Sequence, residues 1–259
     1  MLAIAIVLVL AAGTIAWIVV PDILKSRRRR EARQTDNDLL RARLTRTRAW
    51  RKVPSALRPV LEDRVRIFLS EREFIGCGGL TVTEPMRITI AAEACLLLLG
   101  HEDHVYDELR SILLYPDEFV VADLQEEHGI VTEESRPLSG QSSDTSQVIL
   151  SWRDVCDAGP GYNVVLHEFA HYHDAMHGLT SAPKGDTWRS VASAAMARLE
   201  IAGADGIPCV LDPYSLESEA EFFAVATEAF IEEPEALLEE FPDIYAELQR
   251  AYGLSPVEW

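Results

Sequence analysis

Residues 164–174 read Val-Val-Leu-His-Glu-Phe-Ala-His-Tyr-His-Asp, and the spacing of their polar members decides how the chain is read. His167 and His171 are four positions apart. On a helix advancing about 100° per residue they stand about 40° apart and one turn along, so both imidazoles face the same way. Two like-facing imidazoles, with a glutamate after the first, make the HExxH pattern of a zinc site. Glu168 lies about 100° around from His167, beside such a metal rather than on it. A carboxylate placed there can take a proton from an attacking water and pass it to a leaving amine. Asp174 returns to the ligand side, at about 340°, and is expected to accept a hydrogen bond from a ligand imidazole. Val164, Val165, Phe169 and Ala170 suit a helix packed into a core. His173 and His177 form a second pair on the opposite side and are expected to be packing or surface residues. His101 and His104 fall in a charged turn, and His128 in a polar loop.

A peptidase zinc site takes three protein ligands and keeps one position open. Downstream, residues 212–230 read Asp-Pro-Tyr-Ser-Leu-Glu-Ser-Glu-Ala-Glu-Phe-Phe-Ala-Val-Ala-Thr-Glu-Ala-Phe, an amphipathic helix carrying Glu219, Glu221 and Glu228. Glu221 and Glu228 are seven apart and share a face, whereas Glu219 is rotated about 200° from Glu221. Spacing does not separate Glu221 from Glu228 as the third ligand.

Apolar periodicity predicts helices over 57–74, 86–99, 190–201 and 219–232, with one or two short helices closing the chain over 234–248. Residues 111–122 (SILLYPDEFVVA) predict strand, turn and strand, and 147–152 a further short strand. Residues 126–144 are polar and read as a loop or an edge hairpin. Helices dominate, with a small sheet before the zinc helix, which makes an α+β domain.

The charge is divided. Residues 1–52 carry 12 Lys/Arg and 4 Asp/Glu, leaving 12 and 38 of the totals of 24 and 42 for the other 207. So acidic a body repels phosphates and excludes direct nucleic-acid binding as an expectation. Residues 2–20 contain no charged side chain and at 1.5 Å per helical residue are long enough to cross a bilayer core. Lys25 and Arg27 to Arg30 follow this run and no basic residue precedes it. The positive-inside rule therefore predicts a single-pass anchor with the catalytic body in the cytoplasm, as at a bacterial inner membrane. The expected divisions are an anchor over 1–21, a basic linker over 22–52, in which residues 31–52 read as a tether or an exposed helix, and a peptidase domain over 53–259. Cys77, Cys95, Cys156 and Cys209 form no CxxC pair, so cysteine ligation of zinc is unsupported and free thiols are expected, although the count also allows two disulfides.

The segment Tyr214-Ser-Leu-Glu-Ser-Glu-Ala-Glu221-Phe-Phe-Ala resembles the tyrosine-to-glutamate segment of the Mlc titration factor A family of zinc peptidases. More distantly, it resembles that of the catalytic domain of anthrax lethal factor. Residues 74–80, 90–96, 114–119 and 148–155 are similar to segments of the titration-factor family in the same order, and His167, Glu168, His171 and Asp174 match its HExxHxxD pattern. The resemblance implies a zincin-like fold, with Glu221 as the third ligand and Tyr214 as a donor to the oxyanion. It implies one Zn2+ per chain, a peptide or protein substrate and aminopeptidase activity. Asp174 and Glu228 would then hold the ligands in place. The family's best-known soluble members lack an apolar N-terminal run and are associated with binding a transcriptional repressor of sugar transport. The alternative expectation is accordingly a membrane-tethered protein that sequesters a regulator, its zinc structural or vestigial.

Overall fold

The computed structural model of the protein describes residues 38–100, 106–117, 119–127, 130–138, 140–141, 146–180 and 186–259. The anchor expected over 1–21, the first part of the linker, and His101, His104 and His128 lie outside the described residues. Among the described residues, no helix is long and apolar enough to cross a membrane.

Two short helices open the described chain, α1 (Asp38–Leu44) and α2 (Arg48–Lys52). Thr47 starts the second by accepting the Trp50 N–H at 3.2 Å. Leu44 and Ala49 are fully buried in the main core. This corrects the expected linker: the folded body reaches back at least to Asp38. The basic composition misled because its charges are matched by carboxylates of the folded body: Arg41 pairs with Glu62 at 2.8 Å, and Arg48 with Glu232 at 2.7 Å.

Helix α3 (Arg58–Glu71) follows, and then strand β1 (Glu73–Gly76). The periodic pattern predicted helix through residue 74. Arg72 is extended instead, and the Glu73 N–H donates to the Arg110 carbonyl at 2.9 Å, which draws the chain into the sheet. Helix α4 (Glu84–Ala94) runs into a 3-10 turn (Cys95–Leu98) and crosses over to β2 (Ser111–Tyr115). An antiparallel ribbon of β3 (Phe119–Glu127) and β4 (Ile130–Leu138) comes next. The short strand β5 (Gly140–Gln141) and β6 (Gln147–Ser151) complete the sheet.

The main sheet has the order β1-β2-β6-β5. Its first three strands are parallel, with Ile112 opposite Val148 and Leu114 opposite Leu150, and β5 is antiparallel to β6. Ile112, Leu114, Val148 and Leu150 are all fully buried, the near-continuous apolar content that central parallel strands require.

The remainder is helical: α5 (Trp152–Asp157), α6 (Val164–His177), α7 (Asp186–Ala204), a 3-10 turn (Pro213–Leu216), α8 (Glu219–Glu232), α9 (Pro234–Glu240), α10 (Pro242–Tyr252) and a last 3-10 turn (Pro256–Glu258). Helix α6 is capped by Asn163, whose side chain accepts the Leu166 N–H at 3.2 Å. It ends on Gly178 in the left-handed region at φ 62°, the conformation that glycine adopts at no steric cost.

The back of α6 is locked into aromatic packing. Phe169 and Tyr172 lie 4.7 and 5.4 Å from the Tyr106 ring, and His173 lies 4.7 Å from Tyr252. His173 is thus a core residue, and His177 is exposed. Burial of a Phe or Tyr side chain of this size contributes roughly 1.5–3 kcal/mol, so the helix is held in one orientation from behind. Helix α8 packs along α6, and ten consecutive residues from Phe222 to Ile231 are buried. All four cysteines are free.

Candidate metal centre

With α6 fixed from behind, its front face presents His167 and His171 toward the start of α8. Ser218 caps α8 by accepting the Glu221 N–H at 3.1 Å, which sets Glu221 in the first turn, facing the two imidazoles. The three side chains form a triangle. Nε2 of His167 is 3.0 Å from Glu221 Oε2 and 3.1 Å from His171 Nε2, and His171 Nε2 is 3.5 Å from the same carboxylate oxygen. Each of these atoms can offer an electron pair to one shared centre. Zinc bonds of about 2.0–2.1 Å in tetrahedral geometry place ligand atoms about 3.3 Å apart, so the donor set and its spacing fit Zn2+.

The outer contacts tune the same atoms. Glu228, two turns beyond Glu221 on α8, accepts from His167 Nδ1 at 2.8 Å. That bond leaves the Nε2 lone pair free to point at the centre. The other oxygen of Glu228 accepts the backbone N–H of Asn163. Burial alone would depress the His167 imidazole, but its hydrogen bonds to Glu221 and Glu228 outweigh burial and push it up to about 10. Glu221 is held well below the usual carboxylate range, because the bonds and charges of the two histidines overcome its own partial burial. Both shifts share one source, the close approach of the imidazoles to the Glu221 carboxylate.

Glu168 is almost fully buried beside the triangle. Burial pushes its carboxyl up to about 7, against the two imidazoles, which lower it. Its Oε2 has no hydrogen-bond partner among the described residues. A buried oxygen in that state normally has a water or a substrate atom to meet. Tyr214 sits on the 3-10 turn before α8, started by Asp212, whose carboxylate accepts the Tyr214 N–H at 2.8 Å. Its ring lies 6.2 Å from that of His167 and is 44% exposed, so the phenol borders the centre from the open side. Burial first, and then the charge of Glu221, push its hydroxyl up to about 12, which keeps it a proton donor.

The family model for glucose-regulated metallo-peptidase M90 matches residues 23–253. The chain belongs to that family. It is similar to an uncharacterized protein of Synechocystis sp., 35% identical over 213 residues, which cover 77% of this chain and 78% of that protein. It is also similar to Mlc titration factor A of Pectobacterium atrosepticum, 31% identical over 204 residues that cover 73% and 76% of the two chains. Mlc titration factor A of Serratia proteamaculans is 33% identical over 205 residues, covering 73% and 77%. The likeness to the titration factors expected from the sequence is therefore borne out, and the M90 assignment supports a metallopeptidase class.

Within this M90 chain the structure brings together His167, Glu168, His171, Tyr214, Glu221 and Glu228. Asp174 is the exception. Its two carboxylate oxygens accept from the Thr180 N–H at 2.7 Å and from the Thr180 hydroxyl at 2.6 Å. Asp174 lies in the last turn of α6, where the chain folds back through Gly178, so its carboxylate pins that return rather than orienting an imidazole. Glu219 turns outward to Arg189 at 3.4 Å. Sequence reasoning passed over Asn163. Its signal is present, an Asn directly before the apolar start of a helix, which is a favoured cap.

Proposed function

We propose that this chain is a zinc-dependent peptidase, of aminopeptidase type, acting on peptide or protein substrates. One observation carries the proposal: a His-His-Glu triangle of zinc dimensions with an unpartnered buried carboxylate, Glu168 Oε2, beside it. His167, His171 and Glu221 would hold Zn2+, which would supply a Lewis acid toward the scissile carbonyl and the attacking water. Glu168 acts as the general base. It takes the proton of the attacking water on its carboxylate and returns it to the leaving nitrogen. Glu228 fixes the His167 tautomer through Nδ1. The Tyr214 hydroxyl donates to the oxygen on which negative charge develops.

The expected result is peptide hydrolysis that a chelator abolishes and stoichiometric Zn2+ restores. A chelator-insensitive rate equal to that of the untreated protein would rule out the metal-dependent mechanism. In the same assay Tyr214→Phe lowers kcat by about a hundredfold, with zinc content unchanged, as for loss of one oxyanion donor. An unaltered kcat in that variant would remove Tyr214 from the mechanism.

The name of the two titration-factor relatives favours a second reading, in which the chain sequesters a transcriptional regulator. Glu168 discriminates between them. Sequestration has no use for a buried, unpartnered carboxylate, whose desolvation costs stability. A chain that binds a regulator but leaves every peptide intact, with zinc loaded, would establish the second reading.

We also place the chain at a membrane through residues 2–20, with the catalytic body on the cytoplasmic side, on the strength of the basic cluster at residues 25–30. A C-terminal epitope should survive protease added to intact spheroplasts. Its digestion from outside would reverse the orientation.

A further inference from the structure

The polar contacts behind His167 do not stop at Glu228. Asn163 is fully buried and has one side-chain acceptor and two donor hydrogens. All are engaged. Oδ1 caps α6, and Nδ2 donates to Glu232 Oε1 at 2.9 Å and to Glu93 Oε2 at 3.3 Å. Its backbone N–H meets Glu228. Glu232 stands one helical turn after Glu228 on α8, with a side chain only 1% exposed. Its other oxygen takes two cations, Arg48 Nη2 and Lys52 Nζ, each at 2.7 Å. Both cations come from α2, the helix inside the stretch expected to be a linker. Three buried carboxylates, Glu93, Glu228 and Glu232, therefore surround Asn163, and Arg48 and Lys52 supply positive charge to the group.

We propose that Arg48 and Lys52 are positioning residues for the metal centre: through Glu232 and Asn163 they hold Glu228 against the His167 imidazole. Without the two cations, Glu232 is an uncompensated buried charge, and it must turn away or take a proton. Either change alters its bond to Asn163 Nδ2. Asn163 carries both the cap of α6 and the N–H that fixes Glu228. A displaced Glu228 frees His167 Nδ1, and the ligand loses its tautomer and its aim. Helix α2 is thereby an outer part of the site, about 115 residues earlier in the chain than the ligand it steadies.

The inference rests on His167 being a metal ligand, so its test reads zinc affinity directly, by chelator competition on the full chain. Arg48→Ala/Lys52→Ala is expected to weaken zinc binding about tenfold or more, the range for outer partners of a ligand. In a Glu228→Gln background the same pair should change the affinity by less than about twofold, because contacts acting along one path are not additive. The exchange Arg48→Lys/Lys52→Arg, which keeps both charges, should restore most of the affinity. An equal loss in both backgrounds would show a general weakening of the fold and overturn the proposal. So would wild-type affinity in the double alanine variant. If that variant does not fold, Glu232→Gln carries the test, since it keeps an oxygen for Asn163 and removes the ion pairs. Undiminished zinc affinity there would also overturn the proposal. Failure of the unaltered chain to bind zinc would sink the metal-centre reading itself.

Discussion

Replacing Glu168 with glutamine is expected to leave one zinc per chain and to lower kcat by about two to four orders of magnitude, the contribution of a positioned general base. The amide has nearly the same shape, and Glu168 is not one of the three atoms that define the triangle. What it loses is the ability to take a proton. Burial pushes the Glu168 carboxyl up to about 7, which makes it a stronger proton acceptor than an exposed glutamate. Two measurements decide the matter together, metal content by elemental analysis and turnover of a peptide. Zinc loss as deep as that of His167→Ala would make Glu168 a ligand. Turnover close to wild type would place the base elsewhere.

The second large effect separates two glutamates that helical spacing leaves equivalent. Glu221→Ala removes a corner of the triangle, and zinc affinity should fall by well over about a hundredfold, beyond the range of an outer partner. Glu228→Ala should cost about ten- to a hundredfold. It should also destabilise the fold more, because it strips partners from two buried donors, the Asn163 N–H and His167 Nδ1, at about 1–3 kcal/mol each. The two variants thus differ in opposite senses, Glu221→Ala in metal affinity and Glu228→Ala in thermal stability of the metal-free chain. If Glu228→Ala strips the metal and Glu221→Ala retains it, the two roles are exchanged.

How much of this was legible in the sequence depends on the range of the interaction involved. Helices Val164–His177 and Glu219–Glu232 match the periodic stretches that predicted them, because each buries a broad apolar face and each begins with a capping residue. The relation of Glu168 to His167 and His171 follows from helical geometry alone. The choice of Glu221 over Glu228 does not. They share a face, and only the placement of α8 along α6 brings the first turn of α8 to Nε2 and a later turn to Nδ1. Asp174 also lies at the correct angle, yet the chain beyond Gly178 returns close enough to take both of its oxygens, and no periodicity reports such a return. Arg48 and Lys52 were hidden in a basic stretch whose composition resembles a solvated tether. Their partner, Glu232, is about 180 residues away, and only the tertiary fold makes them neighbours.

The triangle is drawn from two helices, and His167 and Glu221 are 54 positions apart in the chain. An ion held by both is therefore a crosslink as well as a reagent. It ties together distant parts of the chain, and only the folded chain offers all three ligands at once. By mass action, free zinc at about a hundred times its dissociation constant adds about 2.7 kcal/mol to the folded state. The supply of metal in the cell would then govern how long each molecule survives proteolysis, and a starved population would be thinned by turnover before the remainder fell silent.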